Sequence, residues 1–337
     1  MSTELRNASP CEAAWTLLFD QHGAEQAVVC LRASWLLDPA SGGLTLEAKP
    51  PPLRTADVYA GEPGQSTLLA EAEFGLPKPA TDVVLIASAH PRPGASRVDV
   101  TLTAGPLRQS AIVLGPRRWQ RGLFGWRATE PEPLAGPLPL HWESAAGGSD
   151  ASAADPAQHA ADERNPIGAG FRTARSTLPR REQRLPQIVA AVGSDRPVGF
   201  AFLPPHWQPR RRYAGTYDKA WLHERCPVLP LDFDPRFFNN AAPGLTAEGH
   251  LRGDEAIAIT GCTPSGELSF RLPGHRPVVM GGWQDRADPV PSTLATVRID
   301  LIDPARPRLE LLWRAAVATG SRLERLRALL VTWEAPA

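Results

Sequence analysis

Lysine is nearly missing from this chain. Of 36 basic side chains only Lys49, Lys78 and Lys219 are not arginine. Net charge is missing altogether, because 36 acidic side chains balance the 36 basic ones. Without a long-range basic field, neither nucleic acid nor an anionic membrane surface is expected as a partner. Cysteine is sparse: Cys11, Cys30, Cys226 and Cys262 are widely scattered and form no C-x-x-C pair, so zinc-ribbon spacing and a disulfide framework are both excluded. No run approaches the roughly 18 apolar residues of a membrane-spanning helix. The polar start "MSTELRNASPCEAAW" has no apolar core of a secretory signal. A soluble cytoplasmic protein is expected. Nucleophile and phosphate motifs are lacking too. There is no G-x-S-x-G, and "GEPGQST" at 61–67 has no lysine before Ser66 and Thr67.

What the chain has in excess is punctuation. Its 337 residues include 36 prolines and 28 glycines, which leave little room for long helices. The expected fold is mainly β: antiparallel, sandwich-like layers with few short helices and a Pro-rich irregular segment. "AAWTLLFDQHGAEQAVVCLRASWLLD" reads as a strand, a turn at His22-Gly23 and a longer strand, and "GGLTLEAK" as another. Three more lie in the stretch from Thr81 to Trp119. There Val98, Val100 and Leu102 share one face and Arg97, Asp99 and Thr101 the other, as in a sheet with one wet face. Val297, Ile299 and Leu301 before "DPARP", and Leu309, Leu311 and Trp313 after it, predict a hairpin. The end, "SRLERLRALLVTW", suits a helix or a closing strand. Residues 145–164 are rich in Ala, Ser, Asp and Gly with little to bury and read as a flexible linker. It divides an N-terminal β-rich unit, 1–144, from a C-terminal one, 165–337. After it, "FRTARSTLPRREQRLPQI" reads as an arginine-rich surface, solvated or protein-binding.

The most distinctive chemistry lies in 197–243, where prolines stiffen an aromatic-rich segment. One short helix is expected there, with Thr216 as N-cap and Asp218 at the positive end of the dipole. Tyr217, Trp221 and Arg225 fall on one face, and Pro227 ends the helix. Asp232 and Asp234 stand two apart, the spacing of a metal-binding D-x-D. A metal-dependent hydrolase or glycosyltransferase is therefore one reading, and ten tryptophans admit a carbohydrate-binding module as another. The chain lacks the strand-helix alternation of a nucleotide-binding crevice. The favoured reading pairs the aspartates with Arg210, Arg225 or Arg236 in a stiffened loop. His206, His223 and Cys226 are too scattered for a closed zinc site, so no metal, cofactor or catalytic residue is expected.

The run "HWQPRRRYAGTYDKAWLHERCPVLPLDFDPRFFNNAAP" resembles the domain-of-unknown-function family 2169, found beside bacterial type VI secretion genes. "VVCLRASWLLDPASGGLTLE", "VLGPRRW", "HWESAAGG" and "RNPIGAGF" extend the resemblance over roughly residues 15–315. The chain departs from the family pattern at Ser144, Ala146 and Ala169, and after Pro243. The resemblance implies a non-enzymatic cytoplasmic adaptor or chaperone that binds a toxic effector and helps load it onto the VgrG spike. Trp207, Arg210, Tyr213, Tyr217, Asp218, Trp221, Arg225, Asp232, Phe233, Asp234, Arg236, Phe237 and Asn239 are then candidates for partner contact or for scaffolding.

Overall fold

A computed structural model describes residues 3–284, 286–303 and 306–334. It is mainly β, with 40% of residues in strands against 8% in helices, and its sheets are largely antiparallel. The largest sheet is built around the strand Glu25–Leu37. On one side of it lies Glu12–Phe19, reached through the turn at Gly23. On the other lies Arg308–Ala318, which pairs onward with Ser292–Asp300. Asp82–Ile86 closes that edge in parallel. A second sheet joins Arg97–Ala104, Leu107–Leu114, Ala256–Thr260 and Glu267–Arg271. A third joins Arg276–Trp283 to Leu326–Glu334. All three contribute to one continuous apolar core.

Local pattern explains most of this. Along Arg97–Ala104, Val98, Val100, Leu102 and Ala104 are buried while Arg97 and Asp99 are exposed, the alternation a half-wet sheet requires. The expected hairpin pairs Val297 with Leu311 and Ile299 with Leu309. Residues 304 and 305 of its turn lie outside the described residues. The ambiguous C-terminal stretch divides into a 3-10 turn, Gly320–Arg325, and the strand Leu326–Glu334.

Two expectations are corrected. The halves 1–144 and 165–337 do not form separate sheets. Glu25–Leu37 pairs with Arg308–Ala318, and Arg97–Ala104 with Ala256–Thr260, so strands from opposite ends of the chain complete each other's ladders. The 145–164 stretch, expected to be a flexible linker, carries hydrogen-bonded structure. Ala146–Gly147 pairs in parallel with Ala169–Gly170, and Ser149–Asp150 with Ala160–Ala161. Asn165, completely buried, donates to the carbonyls of Trp142 and Ala146, both at 2.9 Å. Small side chains gave little apolar signal, but they let backbone pack directly on backbone.

Candidate functional site

The segment 197–243 enters the molecule at its core. Trp207 is fully buried and meets Trp142 edge-on, ring centroids 5.8 Å apart, while the Trp142 indole donates to the Phe202 carbonyl at 3.0 Å. Gly199 is required beneath it, because a Cβ there would come within 2.7 Å of the Trp142 ring. Arg210 lies over the Phe237 ring at 4.8 Å and donates to the carbonyls of Phe237 and Leu203. Burial pulls its pKa below the usual arginine value, against the opposing pull of Glu71 and Asp82. Phe233, Phe237 and Phe238 form a three-ring cluster with centroids 5.2–6.4 Å apart, in which Phe233 is buried.

Further out the segment meets solvent. The single α-helix of the described residues, Lys219–Glu224, buries none of its side chains. Its N-cap is Asp218 and not Thr216: the Asp218 carboxylate accepts from the Trp221 amide at 2.8 Å. Thr216 serves Asp232 instead, donating from its amide at 2.9 Å and its hydroxyl at 2.8 Å. As expected, Tyr217 and Trp221 share a face, ring centroids 4.6 Å apart, and the Trp221 indole is fixed on the Val228 carbonyl. Arg225 donates to the carbonyls of Leu229 and Gln21 and to neither aspartate. Tyr217, Leu222 and Leu231 are each exposed on this outer part.

The two aspartates do different work. Asp234 caps the 3-10 turn Pro235–Phe238 through the Arg236 amide and forms an ion pair with the Arg236 guanidinium. That guanidinium hydrogen bond holds its carboxyl below the usual aspartate range. The Thr216 amide does the same for Asp232. Of the three expected arginine partners, only Arg236 pairs with an aspartate of this loop. Arg236 also covers one face of the Tyr213 ring at 4.5 Å, and Arg212 lies 4.7 Å from its centroid. Among the described residues, no group of three His, Cys, Asp or Glu side chains is placed to hold a metal ion.

The far end of the segment plugs into a buried ionic cluster that sequence reasoning missed. Asn239 donates to Ala80 and Asp82, while Asn240 donates to Asp82 and Glu71. The Lys78 ammonium, fully buried, lies 2.8 Å from Glu71, Asp82 and Asn240 and 2.9 Å from Thr296. Around it Arg32 pairs with Glu73, Arg54 bridges Glu73 and Glu310, and Arg298 bridges Glu310 and Asp300. Arg314 reaches the carbonyl of Glu73. These groups occupy the second face of the largest sheet, opposite the apolar core. Burial alone would raise the Glu71 pKa, but Lys78 and Arg314 outweigh it and take it down to about 2. The signal was present as charges set in apolar strands, Arg32 within "VVCLRASWLL" and Glu310 and Arg314 within "LELLWRAAV".

A second missed element is the hairpin Trp119–Gly122 with Gly125–Ala128. Gly122 faces Gly125, so Leu123 and Phe124 form a two-residue loop, where Asn, Asp or Gly is usual. Leu123 is 97% exposed and Phe124 104%. Trp126 is exposed beside them.

The chain belongs to the bacterial family described as "Uncharacterized protein conserved in bacteria (DUF2169)", whose model matches residues 22–314. No curated protein matches the chain, and no solved structure does. No helix of the described residues is long and apolar enough to cross a membrane.

Proposed function

We propose that this protein is a non-enzymatic cytoplasmic adaptor or chaperone that binds a type VI secretion effector and helps load it onto the VgrG spike. The observation that carries this reading is the Leu123-Phe124 tip, two large apolar side chains held in water at the end of a braced hairpin. Apolar groups at a hairpin loop stabilise nothing in the free protein, and aromatic and arginine side chains are the commonest interface hot spots. Arg121 and Arg127 lie on the hairpin's own strands. The outer part of the 197–243 segment exposes further apolar side chains, Tyr217, Leu222 and Leu231, on a different element. An adaptor needs two such surfaces, one for cargo and one for the spike.

The test is co-expression with the effector and spike encoded nearby, followed by purification on the adaptor. A stable complex with at least one of them is expected, and replacing Leu123 and Phe124 together by serine should reduce its yield at least tenfold. Wild-type protein that recovers neither partner would overturn the reading.

A further inference from the structure

A groove of about 480 Å³ lies beside the base of the hairpin, lined among others by Arg117, Trp119, Phe171, Arg172, Arg180 and Val189. That volume is within the range of ligand clefts. Four arginines line it against two aspartates: Arg117, Arg164, Arg172 and Arg180 against Asp162 and Asp195, an excess of two positive charges. Asp162 is bound to Arg164 at 2.7 Å. The other three guanidiniums have no carboxylate partner among the described residues. They donate to neutral acceptors: Arg117 to the Pro186 carbonyl, Arg172 to the Leu178 and Ser176 carbonyls, and Arg180 to the Gln183 amide oxygen.

Two of the lining residues also carry a donor that lacks an acceptor behind the groove surface. Arg117 Nε and the Trp119 indole Nε1 are buried atoms without a hydrogen-bond partner among the described residues. Buried N–H groups rarely stay unpaired in a native protein. Arg180 stacks over the Trp119 ring at 4.2 Å, which holds one cation and one apolar face side by side. Burial pulls the Arg117 pKa below its usual value, with no nearby anion opposing the shift.

We infer that this groove binds an extended acidic peptide segment of a protein partner, with its carboxylates on Arg117, Arg172 and Arg180 and its apolar side chains against Trp119, Phe171 and Val189. The lining selects among anions. Inorganic phosphate would satisfy the cations but leave the aromatic and aliphatic walls uncovered. Nucleic acid needs a wider basic field, which a chain of zero net charge does not supply. A segment mixing Glu or Asp with Leu or Val answers both parts. Carboxylates accept charge-assisted hydrogen bonds from guanidinium forks. The arginine-rich run "RTARSTLPRREQR" thereby gains a role, since Arg172 and Arg180 come from it. This inference goes beyond the adaptor reading and fails separately, because it concerns the purified protein and a peptide alone.

The test is calorimetric titration of the purified full chain with a short peptide of alternating Glu and Leu. The same peptide with Gln for Glu, and inorganic phosphate, serve as comparisons. The Glu peptide is expected to bind with the other two at least about tenfold weaker, the factor that about 1.4 kcal/mol represents. Arg180→Gln should weaken it by about tenfold, and Arg118→Gln, outside the groove and paired with Glu132, should not change it. Trp119→Ala, which removes the ring that the apolar side chains rest on, should give a partial loss. Unfolding midpoints of each variant show that the fold survives, and Arg172→Gln replaces Arg180→Gln if that one does not fold. No binding of the Glu peptide, equal affinity for the Glu and Gln peptides, or phosphate binding as tightly would each overturn the inference.

Discussion

Asp232 and Asp234 show how far a single residue's meaning depends on what reaches it. Both carboxylates are occupied by donors from the same loop, Thr216 for one and Arg236 for the other. Their electrostatic work is local bracing. Lys78 and Gly199 are less conspicuous in sequence and more consequential in structure. Lys78→Met should remove a buried ammonium and leave Glu71 and Asp82 facing each other across the space it held. Breaking one side of a buried pair costs on the order of 3–5 kcal/mol. Urea unfolding monitored by tryptophan fluorescence checks it; a loss below about 1 kcal/mol would contradict the bracing role. Gly199→Ala should cost about 1–3 kcal/mol by overpacking, since the Trp142 ring is itself wedged against Trp207. Of these residues only the aspartates attracted notice in the sequence, because a short motif is legible without its surroundings. A lysine buried by four partners is not, since two of them, Asn240 and Thr296, lie 162 and 218 residues away along the chain.

Elements were legible where one face is apolar and the other wet. The alternation in Arg97–Ala104 and the 292–318 hairpin follow directly from the pleat. The reading failed where small residues pack through backbone, as in 145–165, and where an apolar pair occupies a turn, as at Leu123-Phe124. The 197–243 segment divides along its length. Trp207, Phe233 and Asn240 are buried, so the inner part acts as a strut, whereas the helix Lys219–Glu224 buries nothing. Amide exchange should separate the two. The helix amides are expected to exchange orders of magnitude faster than those of Val28–Leu31, which lie in the middle of the largest sheet. The 146–150 and 160–170 amides should fall between these extremes, and exchange there as fast as in an unfolded peptide would restore the flexible-linker reading. Serine at 123 and 124 should change the unfolding free energy by less than about 0.5 kcal/mol, because neither side chain is covered. A partner-binding defect in that variant could then not be blamed on misfolding.

At the scale of the molecule, the largest sheet is dry on both faces but by different means. One face joins the apolar core, while the other is closed by residues 51–82 through ion pairs. Arg32, Arg54, Lys78, Arg298 and Arg314 meet Glu71, Glu73, Asp82, Asp300 and Glu310 there, five charges of each sign. Two of its carboxylates, Glu71 and Glu310, make stability sensitive to acid in one direction, while Glu73, pushed up by burial against the pull of Arg32 and Arg54, opposes them in part. Glu71 has a folded pKa of about 2 against an ordinary value of 4.5. Glu310 is also lowered; burial opposes the shift, but Arg298 and Arg54 prevail. For a carboxylate with a depressed folded pKa, the stabilisation is complete above the unfolded value and is lost as pH falls through the folded one. The urea midpoint should therefore be level at about pH 6 and above with respect to these groups and drop steeply from about pH 4.5 toward 2. Glu71→Gln should be less stable at neutral pH, since Lys78 and Arg314 lose their carboxylate, yet show a shallower acid slope than wild type. Exposed ion pairs would respond to salt, whereas this layer, within side chains mostly under 10% exposed, should keep its acid slope between 0.1 and 1 M salt, taken as about 10 and 3 Å of screening length. An acid slope identical in wild type and Glu71→Gln would place the titrating groups elsewhere and remove the ionic layer from the account of what closes this sheet.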